Sequence, residues 1–418
     1  MRKNATLFVI LIITIFLAGI FWFVFAQTSI TDSIGNSFIE AGNNLAAVFF
    51  KESITVSGIK NKYNNSLYGP KVRVLVVPGH EPGEGGAEFG ELRERDMAVE
   101  LGNYLAGFLQ KNGHYDTVLT RDNVAWSPVF SDYFSKNWDS IVAFAADQKM
   151  QMRSFLNLGL VATTTGAYHV DAPQDVALRL YGINKWANEN NIDIEIHLHF
   201  NDYPRKRSMR PGDYSGFTIY VPEKQYSNSV TTKAIAAAVF GRLLKYNAVS
   251  DLETENAGVV EDQDLIAVGS NNNANAASLL IEYGYIYETQ FKDPAIREIA
   301  LRDMAYQTYL GLQDFFGQDG KHDAVYDTFA LPYDWKNSVS KNNATVMKSD
   351  IFALQSALTI EGEFPAQGNT KNDCPRSGVF GPCTINALNA FQSKYDIKGE
   401  TGVVGPKTRE MLRSLYGY

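Results

Sequence analysis

The segment Ile192–Phe200 constrains this chain more than any other. Ile192, Ile194, Ile196 and Leu198 fall on one side of an extended strand, and Asp193, Glu195, His197 and His199 fall on the other. A strand of this kind rests its aliphatic side on a hydrophobic core and leaves an acid–histidine face free for chemistry. Other apolar runs supply its neighbours. Val72–Val77 is continuous and ends in Pro78-Gly79-His80, a pattern that suits a strand buried on both faces. Thr117–Thr120, Gly216–Val221 and Ala277–Tyr283 read as further strands, the last with a single carboxylate, Glu282. Between them, Glu94–Gln110 carries Met97, Leu101, Leu105, Phe108 and Leu109 at helical spacing, Thr231–Tyr246 has an alanine-rich face, and Pro294–Phe316 reads as a closing helix. Strands alternating with helices predict an α/β domain, a mostly parallel sheet flanked by helices, over residues 71–317.

The rest of the chain divides around that domain. Arg2 and Lys3 precede the uncharged run Ala5–Ala26, long enough as a helix to cross ~30 Å of hydrocarbon. Residues 1–27 therefore read as a transmembrane anchor or a signal peptide. The positive flank stays in the cytoplasm, so everything after Gln27 is exported. Residues 28–70 read as a stalk and 318–347 as a polar linker. Residues 348–418 form a small all-α three-helix bundle over Asp350–Leu358, Thr384–Tyr395 and Lys407–Leu415. A short echo links its later helices: Gly381-Pro382-Cys383-Thr384 and Gly405-Pro406-Lys407-Thr408 each turn the chain and start a helix, with threonine available to cap. A net charge of −8 argues against a nucleic-acid partner. Two cysteines in 418 residues exclude a disulfide-dense scaffold and a four-cysteine zinc site.

Catalytic groups on sheets of this type gather at the carboxyl ends of strands. His80, His199 and Glu282 all fall at or just past such ends. Glu94 opens the helix after the glycine-rich Glu81–Gly90 segment, which can fold back as a loop. Two histidines and one carboxylate form a set that suits a catalytic zinc with one position left for water. Glu282, isolated in an apolar strand, fits the separate acid that moves the proton. Glu91 is a minor competitor for the metal.

These segments resemble the zinc-dependent N-acetylmuramoyl-L-alanine amidases of bacteria. The matching stretches are VVPGHEPGEGGAEFGELRERD, TVLTRD, IHLHFND and SLLIEYGYI, in that order within about residues 72–316. The tail VFGPCTINALNAFQSKYDIKGETGVVGPKTREML resembles a peptidoglycan-binding three-helix module. The resemblance implies His80, Glu94 and His199 as zinc ligands and Glu282 as the catalytic carboxylate. It implies cleavage of the amide between the lactyl group of N-acetylmuramic acid and L-alanine, with glycan strand and stem peptide as partners. His199 takes the ligand slot because it precedes x-Asn; His197, on the same face, is open as ligand, substrate contact or plain polar residue. The proline common before the catalytic strand is replaced by Asn275-Ala276-Ala277.

Asn201 and the basic Arg205, Lys206, Arg207 and Arg210 are candidate substrate contacts, the arginines for stem-peptide carboxylates. Residues 122–191, rich in aromatics from Trp126 to Phe155, form an enlarged insertion that reads either as a lid or as packing on the body; His169 within it is not expected to be a ligand. Cys374 and Cys383 flank a glycine turn in an exported domain and are candidates for a disulfide. The expected function is an exported zinc amidase, anchored or secreted, with a wall-binding module. The alternatives are a zinc peptidase within the stem peptide and a non-catalytic envelope anchor. The activator, the peptidoglycan chemotype and the oligomeric state are left open by the sequence.

Overall fold

The computed structural model describes residues 54–418 apart from 165–171, 204, 206–208, 270–271, 319–326 and 346. The run Ala5–Ala26, His169, Lys206 and Arg207 lie outside the described residues. No helix among the described residues is long and apolar enough to cross a membrane.

Six strands form the central sheet: β1 (Val72–Pro78), β4 (Tyr115–Leu119), β5 (Ile194–Asn201), β6 (Thr218–Pro222), β7 (Val259–Asp262) and β8 (Ala277–Tyr285), in the order β4-β1-β5-β8-β6-β7. Every pairing is parallel except β6 with β8. β2 (Glu88–Phe89) and β3 (Leu92–Arg93) make a minimal hairpin in the glycine-rich loop. The short β7 and this hairpin have no alternating pattern long enough to announce them.

Alternate residues of each strand feed different layers. Val72, Val74, Val76, Ile194, Ile196 and Leu198 join one core with α2 (Glu94–Lys111), α5 (Ser229–Tyr246), the one-turn α6 (Thr289–Lys292) and α7 (Pro294–Phe315). Leu75 and Val77 point to the opposite layer, where they meet Phe130, Phe134 and Ile141 of α3 (Pro128–Asn157) and Tyr181 and Trp186 of α4 (Gln174–Glu189). Within the 122–191 insertion, α3 and α4 thus pack on the body, over the same sheet face that carries His197 and His199. α7 starts on Asp293, whose carboxylate accepts from Ala295 and Ile296 N–H, with Pro294 in its first turn.

The described parts of the two expected connectors contribute side chains to folded cores. α1 (Val56–Asn65) lies in the expected stalk, yet Ile54, Ile59 and Tyr63 enter the main core. Lys62 pairs with Asp193 at 2.6 Å and Tyr63 donates to Gln313 at 3.0 Å. In the expected linker, Leu331, Trp335 and Val339 enter the core of the C-terminal bundle. That bundle comprises α8 (Lys348–Ile360), α9 (Pro382–Lys394) and α10 (Pro406–Tyr416). Gly381 and Gly405 are the N-caps of α9 and α10, and neither Thr384 nor Thr408 caps. Glu400 instead accepts from the N–H of Lys407 and Thr408, satisfying orphan donors at the start of α10. Cys374 and Cys383 are disulfide-bonded.

Candidate active site

The site is built where β1, β5 and β8 end. His199 of β5 and Glu282 of β8 are register partners, so their side chains rise from the same sheet face. Gly79, just past β1, lies beneath the His199 ring: a Cβ there would stand 2.3 Å from His199 Cε1. Only glycine leaves room for that imidazole. His80 follows in a left-handed backbone conformation (φ 67°), which turns its ring toward α2. The loop returns over it, and at Gly86 (φ 83°) a Cβ would meet His80 Cδ2 at 2.8 Å.

His80, Glu94 and His199 each offer one ligand atom, all within 4.8 Å of one another. Glu94 is nearly closed to solvent, while the His80 and His199 side chains retain 27% and 18% of their exposure, so the cluster faces a cleft. Both Glu94 oxygens are held by the backbone: Oε1 accepts from Phe200 N–H at 3.0 Å and Oε2 from Ala87 N–H at 2.8 Å. His199 Nδ1 lies 3.0 Å from Oε1, and His80 Nε2 lies 2.8 Å from Oε2. His80 Nε2 is buried yet makes no hydrogen bond of acceptable direction. A buried imidazole nitrogen without a hydrogen bond, beside two further donors, is what a metal site requires. The donor set therefore fits a zinc ion. Burial raises the Glu94 carboxyl, but the adjacent His80 and the hydrogen bond from His199 outweigh it, leaving Glu94 well below the usual range. Burial pushes the His199 imidazole down to about 4, keeping it neutral, as a ligand must be.

Glu282 is partly exposed as a residue, but its Oε2 is shut from solvent and has no hydrogen-bond partner. Burial, with Glu94 and Glu255 nearby, raises its pKa well above the ordinary carboxyl value. It stands next to the cluster as a carboxyl able to hold a proton.

The remaining candidates are placed differently. His197 is buried and hydrogen-bonds Glu195 at 2.9 Å, which in turn accepts from Asn273 at 2.6 Å; it is outside the ligand cluster. Glu91 is exposed and also outside it. Asn201 spends its Nδ2 on Glu255, at 2.8 Å. Arg205 is bound to Asp202 at 2.8 and 2.9 Å and donates to Glu88 O, so it braces the loop over the site.

Three residues that the sequence reading did not assign also shape the site. Arg121, 1% exposed, donates to the carbonyls of Pro78, Gly79 and Arg95 and so fastens the His80 turn to α2. Burial lowers its pKa to about 10, still fully charged. Glu81 receives Trp126 Nε1 at 3.2 Å and lies 3.3 Å from Arg179, tying the insertion to the residue after His80. Glu255 gathers Asn201, Tyr220, Ser250 and Tyr285. Arg121 falls within the TVLTRD stretch, whereas Glu255 carries no local signal.

Residues 160–314 match the family described as N-acetylmuramoyl-L-alanine amidase, and residues 348–412 match the peptidoglycan binding domain. The first match includes His199 and Glu282; His80 and Glu94 lie before it, His80 brought alongside by the β1–β5 pairing and Glu94 by the hydrogen bond from Phe200 N–H. No curated protein sequence matches the chain. Among solved structures, the CwlD amidase from Clostridioides difficile in complex with the GerS lipoprotein is similar at 15% identity and a TM-score of 0.38, over 60% of this chain and 100% of that one. The amidase AmiC2 of Nostoc punctiforme is similar at 16% identity and 0.35, over 60% and 99%. The amidase Ami1 from Mycobacterium smegmatis is similar at 13% and 0.38, over 59% and 98%.

Proposed function

We propose that this chain, in which an amidase match is followed by a peptidoglycan-binding match, is a cell-wall amidase that cuts the bond between the lactyl carbonyl of N-acetylmuramic acid and L-alanine with one zinc ion held by His80, Glu94 and His199. The observation that carries this reading is the convergence of those three ligand atoms with Glu282 as register partner of His199. When bound, zinc lowers the pKa of a water and polarises the scissile carbonyl.

The protein's own groups supply the rest. Glu282 takes the proton of the attacking water on its carboxylate and hands it to the departing nitrogen as the C–N bond breaks. One water is consumed; the products are a lactyl carboxylate and a free L-alanine amine. Glu94 keeps its place through Phe200 and Ala87 N–H, and Arg121 holds the His80 turn, so little reorganisation accompanies the reaction. The C-terminal bundle holds the enzyme to the polymer and raises local substrate concentration. Ala5–Ala26 would tether it at the outer face of the membrane or be removed on export.

Mass spectrometry of a peptidoglycan digest tests the reading. Intact stem peptides with free L-alanine amines, released by the zinc-loaded protein and withheld under chelation, are expected. Products cut inside the stem, or unchanged release by metal-free protein, would overturn it.

A further inference from the structure

Between α8 and α9 the chain runs through residues 361–381 without a helix or strand. A connection of that length between two short packed helices is uncommon unless it has a task of its own. Its second half reaches across to the amidase domain. Lys371 Nζ donates to the Leu244 carbonyl, and Asn372 Nδ2 donates to Ser215 Oγ and to the Val249 carbonyl. Arg376 pairs with Asp303 of α7 and donates to Thr328 and Ser356. Its guanidinium also lies over two rings, Tyr246 of α5 at 4.6 Å and Phe352 of α8 at 4.7 Å. The backbone of Gly378 comes so close to α7 that a Cβ there would stand 2.9 Å from Ile296 Cδ1.

The disulfide closes this same segment. Cys374 and Cys383 bracket Arg376 and Gly378, and Cys383 lies in the first turn of α9. Inside the ring, the N–H groups of Ser377 and Gly378 both donate to Gln355 Oε1 of α8, each at 2.9 Å. α8 thus orients the ring from one side and the disulfide ties it to α9 on the other. The bundle has further means of holding itself together: Leu354, Leu358, Leu388, Phe391 and Leu412 meet among its three helices. The docking contact is more demanding. A buried ion pair repays its desolvation only while its geometry is held. A loosened ring would leave Asp303 and Arg376 as two charges shut away from water, and separation of the domains would relieve them. Cys374 is 5% exposed and Cys383 half-buried, so a reductant meets the bond at Cys383.

We propose that the Cys374–Cys383 disulfide is a redox lock on domain docking: closed, it holds Arg376 in its pair with Asp303; open, it releases the C-terminal bundle from the amidase domain without unfolding it. A thiolate of a dithiol reductant attacks Cys383 Sγ, and Cys374 leaves as a thiolate. The second thiol of the reductant then displaces Cys383. Two electrons pass to the protein, which gains two thiols, and the reductant departs as a disulfide. With the lock closed, the bundle and the active site keep one mutual geometry. With it open, the chain alone joins them, and the amidase domain explores a wider volume around the point where the bundle is held.

The test compares the oxidised full-length protein with the same preparation treated with dithiothreitol, free thiols being counted with a chromogenic reagent. The oxidised protein is expected to melt in one calorimetric transition. Reduction should free both cysteines and split the melt, the bundle unfolding first, while the helical circular dichroism signal before the first transition stays unchanged. Asp303→Ala should split the melt of the oxidised protein in the same way, and reduction of that variant should shift it no further, because the lock acts through the pair. The double variant Cys374→Ser, Cys383→Ser should melt as the reduced wild type does. A single transition after full reduction, two transitions in the oxidised protein, or a bond that the native protein withholds from dithiothreitol overturns the lock. Loss of helical signal on reduction also overturns it and assigns the disulfide to the fold of the bundle. None of these readouts needs amide hydrolysis, so their failure is distinct from failure of the amidase reading.

Discussion

His199 and Glu282 are register partners on adjacent parallel strands, one a member of the ligand cluster and the other a carboxyl with an unpartnered buried oxygen. Because the pairing is fixed by backbone hydrogen bonds, Glu282 and His199 of the ligand cluster cannot drift apart without breaking the sheet. Glu282→Gln keeps the shape of the side chain and removes its proton chemistry. It is expected to lower kcat about 10²–10⁴-fold while bound zinc, measured by elemental analysis, stays at the wild-type level. Wild-type turnover in this variant would remove Glu282 from the mechanism.

Gly79 and His199 are in contact through the missing Cβ. Gly79→Ala would place a methyl group 2.3 Å from His199 Cε1, so the imidazole must leave its position. The expected outcome is weaker zinc binding in a competition with a chromogenic chelator, with a much smaller change in the melting temperature than in metal affinity.

Arg121 reaches the site through backbone carbonyls alone. Arg121→Met strips the donors from Pro78, Gly79 and Arg95 and is expected to cost on the order of 3 kcal/mol in denaturant unfolding. Zinc affinity should fall with it. Arg121→Lys should rescue neither, because a point charge cannot reproduce the planar fork that bonds several carbonyls at once.

What could be read in the sequence follows from how local each signal is. β5 announces itself through strict alternation, and the His80 turn through Pro78-Gly79 at the end of an apolar run. The α/β layering follows from helices placed between such runs. The reversal of β6 against β8 depends on register between strands far apart in the chain, so no local pattern encodes it. The same holds for Glu255, whose four donors come from residues 201, 220, 250 and 285. Short polar stretches in the expected stalk and linker hide single anchoring residues such as Tyr63 and Trp335, whose burial depends on a distant surface. The candidate substrate contacts were read from charge and position alone, and Asn201 and Arg205 are engaged within the protein.

Asp303 and Arg376 form a nearly solvent-free ion pair across the two domains, with side-chain exposures of 0% and 4%. Asp303→Ala leaves the guanidinium buried and unpaired, which costs about 3–5 kcal/mol in comparable pairs. The loss should appear in guanidinium unfolding as a separate, earlier transition of the C-terminal domain. Coincident transitions in this variant would show that the pair does not hold the domains together.

Two carboxylates make the bundle sensitive to acid. Burial raises Glu361, but hydrogen bonds from Lys394, Tyr416 and Tyr395 outweigh it and lower its pKa. Burial also raises Glu400, and the N–H groups of Thr408 and Lys407 with the Thr408 hydroxyl bring it below the usual value. A carboxyl whose folded pKa is depressed adds stability above its unfolded pKa of ~4.3 and loses it as pH falls through the folded value. The double variant Glu361→Gln, Glu400→Gln should therefore melt below the wild type at pH 7. The gap should close progressively as pH drops below about 4. Scanning calorimetry of both proteins across that range checks the sign: a gap that widens in acid would mean that these carboxylates are not the groups that stabilise the bundle.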